Sequence, residues 1–180
     1  VCTAFAVFSA RSAGRGAMKR LIIVYHTMTG AAQQLATAAH SAASDEAGCS
    51  AELVTAAAAD VEHVLSADGY LFVTPENLAT MAGRMKDFFD RIYYGALDKV
   101  NGRPYAAIIA AGTDGEGAAR QIQRIATGLR LKAIAPPTIV LNGAQTPEQI
   151  LAPKHVPEVD LSRARELGAA IAAGLASGVF

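Results

Sequence analysis

Five short apolar runs, each followed by a segment with helical spacing, leave this chain few folds to choose from. The runs are Leu21–Tyr25, a weaker Ser50–Thr55, Gly69–Thr74, Pro104–Ala111 and Pro137–Asn142. Continuous rather than alternating hydrophobicity marks strands buried on both faces, and strands that alternate with helices build a parallel sheet covered on both sides. Helices are expected over Ala31–Ala43, Ala57–Leu65 with Asp60 as a cap, Leu78–Tyr94 and Gly117–Leu131. In the third of these, Met81, Met85, Phe88, Phe89 and Ile92 recur at helical spacing and form one core face. The stretch Gly143–Pro157 holds three prolines and reads as an irregular loop with one turn near Glu148. A last helix follows, capped by Asp160 or Ser162, with Leu167, Ile171 and Leu175 on one face.

Parallel sheets bind ligands at the carboxyl ends of their strands, so three loops concentrate the chemistry. The first is His26-Thr-Met-Thr-Gly-Ala-Ala32. Thr27 and Thr29 offer hydroxyl donors, Gly30 lets the backbone turn its N–H groups inward, and the helix start adds about half a positive charge, a workable phosphate cradle. The second, Thr74–Thr80, has its backbone fixed by Pro75 and carries acceptors and donors on Glu76 and Asn77. The third, Gly112-Thr-Asp-Gly-Glu-Gly117, has the freedom to approach a flat ring closely. Each loop alone has a plainer reading: a capped helix start for the first, and turns with Asn77 or Asp114 as helix caps for the others.

Taken together, Leu21–Gly30, Thr74–Arg91 and Ala110–Ala118 resemble the flavodoxin-like NAD(P)H-dependent FMN and quinone reductases, over residues 19 to 145. The resemblance implies a three-layer α/β/α sandwich around a five-stranded parallel sheet in the order 2-1-3-4-5. The first turn lacks Gly-x-Gly-x-x-Gly, which points away from a Rossmann winding. It implies an FMN-binding domain over residues 18–180, with the cofactor held by Thr27, Met28, Thr29, Gly30, Ala31 and Ala32 at the phosphate. Pro75, Glu76, Asn77, Leu78, Gly112, Thr113, Asp114 and Gly115 would lie along the ring. NAD(P)H would be the electron donor, and a quinone, flavin or similar small molecule would accept two electrons. No catalytic side chain and no metal are expected, because the flavin carries the chemistry. The family's phosphate pattern resembles Thr/Ser-x-Thr-Gly-x-Thr; Ala32 stands in its last place and removes one hydroxyl donor. Relatives often complete the site across subunits, so a homodimer or homotetramer is expected. The alternative is a flavodoxin-type electron carrier or a non-catalytic flavin-binding module. The second and third loops contain no aromatic residue to sandwich a ring, which favours the reductase, although Tyr93, Tyr94 or a partner subunit could supply a lid.

Composition excludes other classes. Sixteen acidic residues balance sixteen basic ones, so no basic field exists to hold nucleic acid. Hydrophobic residues reach 52%, much of it alanine suited to close-packed helices, yet no run approaches the roughly 20 residues of a membrane span. Cys2 and Cys49 form no metal pattern, and a reduced, cytoplasmic protein is the default reading. Residues 1–17 read as over-extension or a disordered tail before Met18, with a processed targeting segment as the alternative. A phosphorelay receiver would need aspartates where Tyr25, His26 and Thr74 stand, and neither a cysteine–arginine phosphatase loop nor a hydrolase elbow is present. His26 flanks the phosphate loop but reads as solvent-facing, as do His40 and His63, and His155 has no visible partner. Arg84, Lys86 and Arg91 alternate with Asp87 and Asp90 as a solvated helix face.

Overall fold

The computed structural model describes residues 18–180; the expectation for residues 1–17 lies outside them. Along the chain run β1 (Lys19–Tyr25), α1 (Ala31–Ser44), β2 (Cys49–Thr55), α2 (Val61–Ser66), β3 (Gly69–Asn77), β4 (Thr80–Met81) and α3 (Gly83–Ala96). They are followed by β5 (Pro104–Ala111), α4 (Glu116–Gly128), β6 (Lys132–Ala133), β7 (Thr138–Leu141), α5 (Pro147–Leu151) and α6 (Glu158–Ser177).

The sheet runs β2-β1-β3-β5, and β6 and β7 both pair in parallel with β5 at its far edge. This is the expected 2-1-3-4-5 flavodoxin-like winding with its fifth position split. Lys132–Ala133 pairs beside Pro104–Tyr105, and pairing resumes only where Thr138 meets Ile108. Pro136 and Pro137 lie in the gap, and neither has an N–H to give to the ladder.

Successive strand residues point to opposite faces, which sorts the core into two layers. Leu21, Ile23, Leu71, Val73 and Ile108 pack under α1 and α6. Ile22, Val24, Tyr70, Phe72 and Ile109 pack under α3 and α4. Phe72, Phe88 and Phe89 close the second layer with tilted ring contacts at 5.0 to 6.3 Å; burying each such ring contributes on the order of 2–3 kcal/mol. Met81 and Met85 are core residues, as expected. The alanines do what composition suggested: α1 and α6 approach so closely that a Cβ at Gly168 would sit 2.2 Å from the Ala39 carbonyl oxygen.

Asp60 caps α2, accepting from the His63 N–H at 3.0 Å while the His63 ring reaches back to the Asp60 N–H. Arg91 ties α3 to the turn before α2. Its Nε donates to Asp87 at 2.9 Å, and its Nη atoms donate to the Ala59 and Ala56 carbonyls at 2.7 and 2.5 Å. It is thus a structural clamp as well as part of the solvated face.

Several boundaries depart from expectation: α2 starts at Val61 rather than Ala57, and α4 ends at Gly128 rather than Leu131. The helix expected from Leu78 starts at Gly83, because residues 76–81 form an antiparallel hairpin in which Glu76 pairs with Met81 and Asn77 with Thr80. Its tip, Leu78 and Ala79, takes left-handed backbone angles (φ 52° and 59°), so Asn77 caps no helix. The last helix begins at Glu158 with Pro157 in the cap position, which puts Asp160 and Ser162 inside it rather than at its cap. The turn near Glu148 is α5.

Candidate functional site

The carboxyl ends of β1, β3 and β5 open into one cavity of about 460 Å³, within the roughly 300–1,000 Å³ range of small-molecule sites. All three loops reach it. Thr27, Met28, Thr29, Ala31 and Ala32 line it from the first, Pro75, Glu76, Asn77 and Leu78 from the second, and Gly112 and Thr113 from the third. Gly30, Asp114 and Gly115, expected with them, are not among the lining residues.

The first loop is built as an anion cradle. The Gly30 N–H donates to Thr27 Oγ1 at 3.0 Å, which pins the threonine and leaves its O–H proton free to donate elsewhere. Gly30, at φ 93°, turns the chain into α1, whose start carries no side-chain cap and no acidic residue in its first turn. The N–H groups of such a first turn lack intrahelical partners, and here no carboxylate competes for them. Burial and, secondarily, the Arg84 guanidinium hold the His26 imidazole below its ordinary value, which favours the uncharged ring. Its Nε2 lies 3.4 Å from Met28 Sδ.

The second loop works differently from the sequence reading. Glu76 faces the cavity, yet its carboxylate is spent on α4: Oε2 accepts from the Gly115 N–H at 2.7 Å and Oε1 from the Ala118 N–H at 3.2 Å. Asp114, expected along the ring with a helix cap as its plainer reading, makes a 3.3 Å contact with the Glu116 N–H. The hairpin is welded to α4 at two more points. Met81 donates its N–H to Gln121 Oε1 at 2.9 Å, and a Cβ at Gly117 would lie 2.0 Å from the Ala79 carbonyl oxygen. These bonds hold the strained Leu78–Ala79 tip at the cavity mouth, where Leu78 is 98% exposed. At the third loop, a Cβ on Gly112 would press within 3.0 Å of the Ala144 carbonyl, so only glycine leaves that wall undisturbed.

The family described as NADPH-dependent FMN reductase matches residues 32–147. The chain belongs to that family. The match covers the second and third loops and begins at Ala32, the last residue of the first. Comparison with curated proteins returns no match. Among solved structures, the chain is similar to a flavodoxin from the domain Archaea, at 16% identity and a TM-score of 0.70 over 87% of this chain and 98% of that one. It is also similar to the flavodoxin, WrbA-like protein from Agrobacterium tumefaciens, at 15% identity and a TM-score of 0.67 over 89% and 98%. The flavodiiron protein from Giardia intestinalis matches at 18% identity and a TM-score of 0.70, over 91% of this chain but 39% of that one. At these identities the likeness is one of fold: an FMN reductase family chain in a flavodoxin-like sandwich.

Sequence reasoning missed one side of the site. Asn142, Ala144, Ile150, Leu151 and Lys154 also line the cavity. Asn142 ends the fifth apolar run, and the others come from the proline-bearing stretch after it, where no apolar periodicity or motif marks them; only their position at and beyond the end of the edge strand of a parallel sheet hints at a role. No aromatic side chain lines the cavity among the described residues, and Tyr93 and Tyr94 lie elsewhere on α3. No group of His, Cys, Asp and Glu among the described residues could hold a metal ion. No described helix is long and apolar enough to cross a membrane.

Proposed function

We propose that the chain is an FMN-dependent NAD(P)H oxidoreductase that passes two electrons to a quinone, a flavin or a similar small acceptor. The observation that carries this reading is the cavity itself: an uncapped helix start flanked by two threonines at one end, and, among the described residues, walls without aromatic side chains around the rest. The donor set fits FMN. Thr27, Thr29 and the first-turn N–H groups of α1 suit a phosphate, and Glu76, the single carboxylate of the lining among the described residues, is engaged by backbone N–H groups rather than aimed at an anion.

The chemistry FMN supplies when bound is acceptance of a hydride from reduced nicotinamide and delivery of two electrons to an acceptor. The chain's own residues position and exclude. Pro75 and Gly112 would border the ring with rigid and closely approaching backbone, and Asn77 and Thr113 would offer polar groups to its heteroatom edge. Met28, Leu78, Ile150 and Leu151 are exposed at the rim; they would shed water when a flat apolar molecule stacks there. No side chain is required to move a proton in the hydride step.

A homodimer or homotetramer is part of this reading, supported by that apolar rim and by Tyr94, 85% exposed on α3. Light scattering that finds only monomer at micromolar concentration would count against it. A cytoplasmic setting suits the free, buried Cys49.

The deciding experiment is stopped-flow reduction of the FMN-loaded protein by NADH and by NADPH, followed by turnover with a quinone. Fast reduction by either nucleotide supports the reductase. Negligible reduction by both moves the protein to the carrier class suggested by its likeness to the archaeal flavodoxin. Protein that leaves flavin fluorescence unchanged on titration denies the cofactor.

A further inference from the structure

Beyond the three loops the cavity has a fourth wall, the strap from Asn142 to Val156. At one end it is tied to the third loop: the Asn142 and Gly143 N–H groups donate to the Ala111 and Gly112 carbonyls at 3.0 and 2.8 Å. At the other it is tied to the first loop. The Lys154 N–H donates to the Thr29 carbonyl at 2.7 Å. Gln34 Nε2 donates to the Gly30 and Lys154 carbonyls at 3.1 and 2.7 Å, and Gln34 Oε1 accepts from the Val156 N–H at 3.2 Å.

Peptide planarity converts these ties into orientation, because the C=O and N–H of a trans peptide point opposite ways. Holding the Thr29 carbonyl on Lys154 aims the Gly30 N–H toward Thr27 Oγ1. Holding the Gly30 carbonyl on Gln34 leaves the Ala31 N–H pointing out of the helix start. The Lys154 ammonium meanwhile donates to the Gln149, Ile150 and Ala152 carbonyls at 2.6, 3.0 and 2.6 Å. It thereby holds together α5, a five-residue helix with no buried residue, too short to persist alone. Among the described residues, Lys154 is the one cation of the cavity lining.

We propose that Lys154, held in place by Gln34, selects a phosphorylated flavin over its unphosphorylated form. Its backbone orients the cradle, and its ammonium, whose three donors are taken by the Gln149, Ile150 and Ala152 carbonyls, adds to that wall its charge rather than a hydrogen bond. The inference rests on the FMN reading above and adds the residue that discriminates between the two ligands.

Three variants test it: Lys154→Met keeps the stem without the charge, Lys154→Arg keeps the charge, and Gln34→Met cuts the tie between strap and loop. The readouts are dissociation constants for FMN and for riboflavin from quenching of flavin fluorescence, and amide hydrogen exchange of the flavin-free protein. Lys154→Met should weaken FMN about tenfold, through loss of one positive charge on the wall beside the phosphate, and change riboflavin less than about twofold. Lys154→Arg should retain most of the FMN affinity. Gln34→Met should weaken FMN and speed exchange at the Lys154 and Val156 amides. Equal loss for both flavins in Lys154→Met, unchanged FMN affinity there, or unchanged exchange in Gln34→Met overturns the proposal. Wild-type protein that binds FMN and riboflavin equally overturns this inference alone, whereas wild-type protein that binds neither overturns the FMN reading as well.

Discussion

Replacing Glu76 separates a structural role from a ligand contact. The carboxylate accepts two backbone N–H bonds at 2.7 and 3.2 Å from the turn that opens α4. Glu76→Ala leaves both donors and the positive end of the helix without an acceptor. Loss of a helix cap costs about 0.5–2 kcal/mol, and hydrogen bonds to a charged group contribute roughly 1.5–3 kcal/mol. Glu76 is half-buried, so water replaces part of what is lost, and a net destabilisation of about 2 kcal/mol is expected. Glu76→Gln keeps one carbonyl acceptor and loses the charge, so it should cost about half as much. Urea unfolding followed by far-UV circular dichroism reads both values, with an unchanged slope if only the native cap is lost. In thermal unfolding the alanine variant should melt roughly 4–8 °C lower. A Glu76→Ala protein within about 0.5 kcal/mol of wild type, but unable to hold flavin, would refute the capping argument and return Glu76 to the ring edge.

Three further outcomes follow from the geometry. Thr29→Glu puts a carboxylate into the anion cradle and should weaken FMN by more than about a hundredfold in a fluorescence titration, since like charges at contact cost several kcal/mol. Gly168→Ala drives a methyl group to within 2.2 Å of the Ala39 carbonyl, and forcing α1 from α6 should cost about 1–3 kcal/mol in denaturant unfolding. Burial raises the Cys49 thiol and the Tyr70 and Tyr105 phenols above their ordinary values. The unfolded chain therefore releases protons at a lower pH than the native one, so stability measured by urea midpoint should hold at neutral pH and fall as pH rises from about 9.

How much of this was legible in the sequence differs element by element. Strands such as Leu21–Tyr25 and Pro104–Ala111 are continuous apolar runs because both faces are buried, and that pattern is local enough to read. Asp60 was legible as a cap for the same reason, since its partner His63 lies three residues on. The hairpin at 76–81 was not. Met81 falls in helical register with Met85 and Phe88, and local spacing gives no sign that its N–H is taken by Gln121, 40 residues away. The left-handed tip at Leu78–Ala79 runs against local preference and persists because α4 holds the hairpin from outside.

The sequence by itself determined the layers, the order of elements and the three loops that meet at one end of the sheet. Those follow from hydrophobic periodicity, turn residues and the handedness of parallel crossovers, all properties of neighbouring residues. Tertiary structure alone decided what each polar group does there. It assigned Glu76 to a helix start rather than to the ligand edge, and it brought Lys154 and Gln34, 120 residues apart, onto the same phosphate loop. A hydrogen bond spends a group's capacity on whichever partner the fold brings within reach, and that partner is set by packing across the molecule rather than along the chain.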